Sequence, residues 1–429
     1  MEFSRRSFLA GASASAFTII RPELVRGAGD EKLKVALVGC GGRGTQACED
    51  TLVGNPNVEI IAMADIFEDR LEQSLRQLRE GRRTAAMADR VKVDAEHRFI
   101  GFDAYKKVLA TDADYVILAT PPGYRPEHFE AAVDAKKHIF CEKPFGTDAV
   151  GVRRFMAAAK KSEELKLSVK SGAQRRSQKS YLAALKRVRD GEIGDIVACN
   201  AYWVGSPVLQ FLGGGWPGPK GKRDPKWSDM EFQNRSWYSF VWICGDQIVE
   251  QHLHNIDVCN WFMGAHPVKA VASGGAAWRP REPEYGNIYD HCSADFVYPN
   301  GVHMSSYCRQ YPNPAAQNVS ELLVGTKGRI DTSTAEFRRS GGPNDLPYVQ
   351  EHIDLVNSIL GKGPYVNEAM AVAETTMTCI MGREAAYSGH EITWEMMMNS
   401  QQDIVPKNMS MDASIPVPPL PVPGEYKFI

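Results

Sequence analysis

Residues 34–44 read KVALVGCGGRG, an apolar run that passes directly into a cluster of glycines. The apolar part, residues 34–38, is typical of a buried parallel strand. The glycines form the pattern G-x-G-x-x-G, in which a tight turn leads into the N-terminus of a helix. Such a turn brings the backbone close to a pyrophosphate, and the helix N-terminus stabilises the negative charge. The stretch therefore predicts a Rossmann domain that binds a dinucleotide.

Asp65 supports this interpretation from a second strand. It follows the apolar residues 58–64 and lies 21 positions after Gly44, where a dinucleotide fold places a carboxylate on the adenosine ribose. A carboxylate there repels a 2′-phosphate, so the sequence predicts NAD. NADP remains the alternative because Arg70 lies close to Asp65 in the sequence.

The composition narrows the class of protein. A chain of 429 residues is long enough for about two to three domains. Hydrophobic residues make up 43% and charged residues 24%, as in ordinary soluble globular proteins. The net charge of −2 provides no basic surface for nucleic acid or for an anionic membrane. A small, weakly charged substrate fits these numbers better than a polyanion.

The N-terminal 31 residues predict an export signal. Arg5 and Arg6 precede Phe8 and Leu9, and a mildly apolar stretch of small residues follows at 10–20. This pattern is typical of the twin-arginine route, and the stretch is too short to span a membrane. We therefore expect export to the periplasm or an equivalent extracytoplasmic compartment. Proteins that take this route are already folded, which matches a tightly held cofactor.

The rest of the chain divides into three parts. Residues 32–147 alternate strands with helices and predict a doubly wound parallel sheet. Residues 148–400 contain long alternating runs and a turn at 299–301, which predict an α+β domain with a large, open, mostly antiparallel sheet. Residues 401–429 are rich in proline and predict an extended arm that packs on the body or on a neighbouring subunit.

Four motifs in this order resemble the Gfo/Idh/MocA oxidoreductases, the family of glucose-fructose oxidoreductase and inositol dehydrogenase. They are the glycine turn at 39–44, Thr-Pro-Pro at 120–122, Glu-Lys-Pro at 142–144 and E-x-x-x-H-x-x-D at 250–257. The resemblance extends from about residue 32 to the C-terminus. It implies sugars, polyols or their derivatives as substrates, NAD or NADP as cofactor, and dimers or tetramers formed through the open face of the second sheet.

The resemblance, together with the spacing of the glycines and Asp65, predicts a set of cofactor contacts. They are Gly39, Gly41, Gly42, Arg43, Gly44, Asp65, Thr120, Pro121, Pro122, Glu142 and Lys143.

Oxidation of a secondary alcohol requires a base for the hydroxyl proton and a cation that stabilises the developing alkoxide. Lys143 follows a strand on the ligand side of the sheet, where it can reach the nicotinamide ribose and the substrate oxygen. The spacing of Glu250, His254 and Asp257 places them on one face of a helix. We expect His254 to accept the proton, Glu250 to orient or polarise the site, and Asp257 to contact substrate or anchor the helix. The family usually has Asp where Glu250 stands, so the catalytic role of Glu250 is open.

Other substrate contacts rest on weaker signals. Trp237 and Tyr238 belong to an aromatic stretch that can stack on a sugar ring or pack in the core. Arg175 can bond sugar hydroxyls or lie on the surface. Tyr289 is expected to line the same cleft.

A metal site is the alternative role for residues of this segment. His252 and His254 with Glu250 and Asp246 have metal-binding side chains, but positions i and i+2 of a helix point apart. We predict no metal. The nine cysteines lack C-x-x-C spacing, so we expect them to be buried apolar residues.

Three functions are compatible with the sequence. The first is an NAD(P)-dependent oxidoreductase that acts on the CH–OH group of a sugar, polyol or sugar derivative, with hydride transfer to a tightly bound nicotinamide. The second is a redox-neutral glycoside hydrolase or lyase that passes through a transient keto-sugar and needs an additional base, such as Glu250 or Tyr289. The third is a non-catalytic sugar-binding protein, which would predict loss of Lys143 or His254. Both residues are present.

Overall fold

The computed structural model describes residues 32–207, 223–312, 316–338 and 346–429. The predicted leader, residues 1–31, lies outside this part of the chain, and export stays a prediction. Across the described ranges, none of the helices is both long and apolar enough to cross a membrane.

A six-stranded parallel sheet forms the first half of the molecule. Its strands are β1 (Leu33–Val38), β2 (Val58–Asp65), β3 (Arg98–Ile100), β4 (Tyr115–Leu118), β5 (His138–Cys141) and β6 (Val169–Ser171). They lie in the order β3-β2-β1-β4-β5-β6. β1 and β4 are buried along almost their whole length because helices cover both faces of the sheet. This is the predicted doubly wound fold, and its strand order reverses between β1 and β4, where such sheets bind ligands.

Helices connect these strands and cover the sheet. They are α1 (Gly42–Gly54), α2 (Glu68–Glu80), α3 (Ala104–Leu109), α4 (Arg125–Asp134) and α5 (Ala149–Glu164). Leu71, Leu75 and Leu78 form an apolar stripe on α2 that is buried, since it faces the sheet. Both α5 and β6 lie beyond residue 147, so the parallel sheet extends further along the chain than the boundary assigned from sequence.

A seven-stranded sheet forms the second half. Its strands are β7 (Ile196–Gly205), β8 (Lys269–Gly275), β9 (His291–Val297), β10 (His303–Gln310), β11 (Asn318–Gly325), β12 (Arg329–Asp331) and β13 (Ile392–Thr393). The order is β12-β11-β7-β10-β9-β8-β13, and neighbours are antiparallel except β7 and β10. Burial alternates along β10, because one face packs on helices and the other is open. The predicted mostly antiparallel sheet is confirmed.

The remaining helices surround this sheet. They are α6 (Lys179–Arg189), α7 (Asp229–Arg235), α8 (Val241–Cys244), α9 (Gln247–Glu250), α10 (Leu253–Met263), α11 (Ala335–Arg338), α12 (Pro347–Ile359), α13 (Ala369–Ser388) and α14 (Trp394–Asn399). The sequence predicts one helix through residues 250–257, and this is wrong. The helix breaks between α9 and α10, where buried His252 turns towards β10 and its Nε2 lies 2.8 Å from Ser306 Oγ.

The C-terminal arm, residues 400–429, has neither helix nor strand. Apolar side chains of its first part, among them Ile404 and Ile415, pack against an aromatic cluster that includes Phe240 and Trp242. Its last part returns to the body, where the Tyr426 hydroxyl donates to Glu384 Oε2 at 2.8 Å. The arm therefore packs on the body, one of the two positions expected from sequence.

Candidate active site

A cavity of about 660 Å³ lies between the carboxyl ends of the parallel strands and the second sheet. Residues from both halves of the molecule line it, and its volume is that of a small-molecule site. Of the predicted site residues, those on this cavity are Gly39, Gly41, Gly42, Arg43, Asp65, Thr120, Pro121, Glu142, Lys143, Trp237, Tyr238, Glu250 and His254.

The glycine turn forms an open cradle at one side of the cavity. A Cβ built on Gly41 or Gly42 would meet no atom within 4 Å, so only cavity space lies in front of them. Gly41 caps α1 without a side-chain hydrogen bond, and the first turn of α1 carries no acidic residue. The N–H groups at this helix N-terminus have the environment that a pyrophosphate requires. The residues present therefore fit a dinucleotide.

Two glycines of the motif have a packing role. Gly39 has φ +99°, and a Cβ there would lie 2.5 Å from the backbone nitrogen of Thr120. A Cβ on Gly44 would lie 1.9 Å from the carbonyl oxygen of Gly39, so Gly44 allows α1 to approach β1. Gly44 does not line the cavity. Pro122 does not line it either, because it opens a buried 3₁₀ turn beside α8.

Asp65 lies on the cavity at the end of β2. Its Oδ2 accepts from the N–H of Cys40 at 2.7 Å and its Oδ1 from the N–H of Phe67 at 2.9 Å. Burial raises the pKa of Asp65, while the two backbone N–H groups oppose that rise. Each carboxylate oxygen retains a lone pair for a ribose hydroxyl. Its position agrees with the predicted ribose role.

Arg43 and Glu142, two predicted cofactor contacts, bond each other. Arg43 Nε donates to Glu142 Oε1 at 2.5 Å, and its other nitrogens lie 2.7 Å from Glu351 and 3.3 Å from Asp50. Three carboxylates therefore surround one guanidinium. These carboxylates balance the charge of Arg43, so Arg43 acts mainly to hold Glu142 in place at the cavity and not to bind a phosphate.

Lys143 and Glu250 meet across the two halves of the molecule. Lys143 Nζ lies 2.9 Å from Glu250 Oε1 and also donates to the backbone oxygen of Glu250. Both side chains are 8% exposed, so the pair lies in a desolvated part of the cavity. The last residue of α9 thereby positions the ammonium group that follows β5.

His254 lies beside this pair in the first turn of α10. Its ring stacks on that of Trp203, with centroids 6.0 Å apart and an angle of 26° between the planes. Its Nδ1 is buried without a hydrogen-bond partner among the described residues. Burial lowers the pKa of His254 well below its ordinary value, and the positive charges of Lys143, Arg175 and Arg43 lower it further. The ring is therefore neutral at pH 7 and able to accept a proton.

Three predicted substrate contacts lie outside the cavity. Arg175 is buried in an ion pair with Glu321 of β11. Asp257 accepts two hydrogen bonds from Arg176, both at 2.8 Å. These partners hold the side chains in the protein interior, so Arg175 and Asp257 are corrected to residues that support the site.

Tyr289 is the third of them. Its hydroxyl donates to the backbone oxygen of Pro421 at 2.8 Å, and its ring packs against Tyr387. Tyr289 therefore anchors the C-terminal arm, and the expectation that it lines the cleft is corrected.

Other cavity residues were not predicted from sequence. They include Phe67, Phe102, Tyr105, Tyr124, Arg125, His128, Gln174, Trp203, Asn234, Arg235, Gln251 and Tyr348. Gln174 and Gln251 lie next to residues that the motifs singled out. His128 is buried and borders the cavity, with its Nδ1 3.2 Å from Thr120 Oγ1. Trp203 has no signal of its own beyond its place in an alternating strand.

Metal-binding side chains do not cluster in the described ranges, since no three His, Cys, Asp or Glu residues lie together in a suitable arrangement. His252 bonds Ser306 instead. All nine cysteines are buried and unbridged.

Comparison with known proteins gives one family and several relatives. Residues 33–171 match the sequence profile GFO_IDH_MocA, described as an oxidoreductase family with an NAD-binding Rossmann fold. The uncharacterized oxidoreductase YrbE of Bacillus subtilis is 24% identical over 300 residues, which cover 67% of this chain and 73% of YrbE. Inositol 2-dehydrogenase of Rhizobium meliloti is 26% identical over 220 residues, 51% of this chain and 52% of that enzyme.

Solved structures share the fold. Scyllo-inositol dehydrogenase from Lactobacillus casei, with bound NAD(H) and scyllo-inositol, aligns with a TM-score of 0.63 and 18% identity over 85% of this chain and 99% of that one. Aldose-aldose oxidoreductase from Caulobacter crescentus, complexed with glycerol, aligns with a TM-score of 0.61 and 17% identity over 85% of this chain and all (100%) of that one.

Proposed function

We propose that this chain, whose residues 33–171 match the Gfo/Idh/MocA oxidoreductase family with its NAD-binding Rossmann fold, oxidises a CH–OH group of an uncharged sugar, polyol or sugar derivative. The observation that carries the proposal is the meeting of Lys143, Glu250 and His254 on the cavity that contains the glycine cradle. The resemblance to inositol dehydrogenases supports a polyhydroxylated substrate.

The chain's own residues have distinct tasks in this proposal. Bound NAD supplies the hydride acceptor. The ammonium of Lys143 is placed to hold the substrate oxygen and to stabilise negative charge as the hydroxyl proton leaves. Neutral His254 accepts that proton. Glu250 keeps Lys143 in position through the 2.9 Å ion pair.

The charges around the cavity support an uncharged substrate. Lys143 is paired with Glu250, and Arg43 with three carboxylates, so neither cation requires an anionic ligand. Gln174 and Gln251 add amide groups to the lining, and Trp203 adds an aromatic face. Amides and aromatic faces are the groups that bind hydroxyls and ring C–H surfaces.

The two alternatives receive less support. A redox-neutral glycosidase needs a further base, but the hydroxyl of Tyr289 is bonded to Pro421 outside the cavity. Glu250 would have to serve while bound to Lys143. For a sugar-binding protein, the pairing of Lys143 with Glu250 beside a neutral His254 would have no purpose.

The proposal is tested with a panel of sugars, polyols and glycosides, read as absorbance of reduced nicotinamide. We expect at least one neutral member to reduce the cofactor. Lys143→Met should lower kcat by about 10²- to 10⁴-fold while NAD still binds, because the group on the substrate oxygen is lost and the glycine cradle and Asp65 remain. Lys161→Met is the matched control, since Lys161 forms an exposed pair with Asp134. Full turnover by Lys143→Met would contradict the mechanism.

We also propose that the protein is exported with its cofactor tightly bound. The support is the pair Arg5–Arg6 and the small-residue stretch that follows. Replacement of both arginines by lysine should keep the protein in the cytoplasm, as cell fractionation would show. Export of that variant at the normal level would contradict the proposal.

A further inference from the structure

Helix α7 borders the cavity at the end where the adenosine ribose is expected. Asn234 and Arg235, its last two residues, line the same cavity as Asp65 and Phe67. α7 belongs to the second half of the chain, whereas Asp65 and Phe67 follow β2 of the parallel sheet. This end of the cavity is therefore enclosed by both halves of the molecule.

Arg235 joins the two halves directly. Its guanidinium carbon lies 4.0 Å from the centre of the Phe67 ring. Its two terminal nitrogens lie 3.1 and 3.3 Å from the two carboxylate oxygens of Asp69, in the first turn of α2. Its Nε donates to Glu231 on α7 at 2.8 Å. A planar guanidinium that forms a fork with a carboxylate and stacks on a ring is held in one orientation.

A second contact fastens the same end of α7. The hydroxyl of Tyr124 donates to Asn234 Oδ1 at 2.7 Å, and both residues are buried and border the cavity. Tyr124 precedes α4, on the other side of the switch point from Asp69. α7 is thus fixed to the parallel-sheet half at two places that flank the predicted ribose position.

The C-terminal arm holds α7 from the outside. Ser228 Oγ donates to the backbone oxygen of Met411 at 2.5 Å, and Gln233 Nε2 donates to that of Ile415 at 2.6 Å. Asp229 Oδ2 accepts from Ser414 Oγ at 2.8 Å. The arm does not line the cavity, so these contacts serve the position of α7 and not a ligand.

We propose that α7 is a latch that closes over the adenosine end of bound NAD. The Arg235–Asp69 pair and the Tyr124–Asn234 hydrogen bond fasten the latch, and the arm supports it from behind. NAD then leaves only after these contacts break, so Arg235 and Asp69 are positioning residues that set the rate of cofactor release. This inference rests on the proposed function only in requiring a tightly bound cofactor. It names the residues that retain that cofactor.

The test is the rate at which NADH leaves the full chain. The protein is loaded with NADH, mixed with excess NAD, and followed by the loss of bound-NADH fluorescence. Asp69→Asn and Arg235→Gln should release NADH about tenfold faster, the equivalent of about 1.4 kcal/mol for a partly exposed pair that also stacks on a ring. Asp134→Asn, which breaks the exposed Lys161–Asp134 pair, is the matched control and should release NADH at the wild-type rate.

Salt provides a readout that a merely structural role would not change. Higher ionic strength screens the Arg235–Asp69 pair, so it should accelerate release from the wild type more than from Asp69→Asn, in which only the contacts of the NADH phosphates are screened. Wild-type release rates in both variants would overturn the proposal, as would a wild type that loses its NADH within the mixing time. A lowered thermal midpoint of apo Asp69→Asn with unchanged release would also overturn it. The measurement uses no substrate, so a sugar panel without turnover contradicts the proposed function and leaves the latch untouched.

Discussion

The environment of His254 determines what this residue can do. It is buried beside Lys143, and the charges of Arg175 and Arg43 add to that of the lysine. Each of these disfavours the imidazolium form. The cavity therefore keeps the imidazole in its neutral form, which can accept a proton.

This environment predicts the pH dependence of turnover. A pKa held well below the ordinary 6.5 means that His254 is neutral at and above pH 6.5 and loses its accepting form only at lower pH. The acid limb of kcat/KM, measured from pH 4.5 to 9 with the polyol that the panel identifies, should therefore lie below pH 6.5. An acid limb at pH 6.5 or above would contradict the assignment of His254 as the proton acceptor.

The sequence predicted the segments that form the site more reliably than the individual side chains that line the cavity. It singled out Arg175, but the cavity is lined by its neighbour Gln174. The difference arises because Glu321, on a distant strand, pairs with the arginine and holds it in the interior. A partner 146 positions away in the chain leaves no signal near residue 175.

Among the elements, the turn between β1 and α1 contains glycines with two different roles. Gly44 lets the helix approach the strand, and Gly42 leaves the cradle open. Gly44→Ala should destabilise the fold by about 1–3 kcal/mol or more, because its Cβ would collide with the backbone at Gly39. Gly42→Ala should fold normally but bind NAD more weakly. Thermal denaturation and NAD titration of the two variants check this.

The pair serves as its own control, since both changes add one methyl group to the same turn. Equal loss of stability in both variants would show that Gly42 also has a packing role. Normal NAD affinity in Gly42→Ala would contradict the placement of the pyrophosphate against this turn.

Elements built from local patterns were predictable, and those that depend on distant contacts were not. The strand–turn–helix at 34–54 follows from a short apolar run and nearby glycines. The break between α9 and α10 depends on His252 bonding Ser306 of β10, 54 positions later. Periodicity alone continues the helix through this point. The motif residues Glu250 and His254 nevertheless reach the same cavity.

At the scale of the whole molecule, the second sheet has one face without cover from the described part of the chain. Tyr307 on β10 is 51% exposed and Val271 on β8 is 46% exposed. Tyr202 of β7 stacks on Tyr307 with ring centroids 6.3 Å apart. Exposed apolar and aromatic side chains on an open sheet face are typical of an interaction surface, and we propose that a second copy of the chain covers this face.

The oligomer proposal leads to a charge substitution. Tyr307→Lys should shift the protein from dimer or tetramer to monomer, because the new charge would be buried in the interface. Val53→Lys is the control, since Val53 is 41% exposed on α1, away from this sheet. Light scattering after size exclusion gives the mass. An unchanged mass for Tyr307→Lys, or a monomeric wild type, would contradict the proposal.

The active site exists only when the two halves meet, and this limits what sequence can show. Lys143 follows β5 of the first sheet, and Glu250 is the last residue of α9 in the second half. Their ion pair forms only when the two halves are in contact. The motifs indicated both residues and the cofactor. The position of α7 at the adenosine end depends on its contacts with Asp69 and with the C-terminal arm, between residues more than 160 positions apart, for which the chain carries no local pattern.

The proposed function depends on direct hydride transfer from a carbinol carbon to NAD in this cavity. The decisive experiment uses the sugar or polyol that reduces the cofactor, deuterated at its carbinol carbons, in a single turnover followed by mass spectrometry of the nucleotide. We predict one deuterium in the reduced nicotinamide and slower reduction than with the unlabelled compound. Unlabelled nucleotide, together with cleavage of a glycoside and no net reduction, would contradict the account and favour the redox-neutral hydrolase.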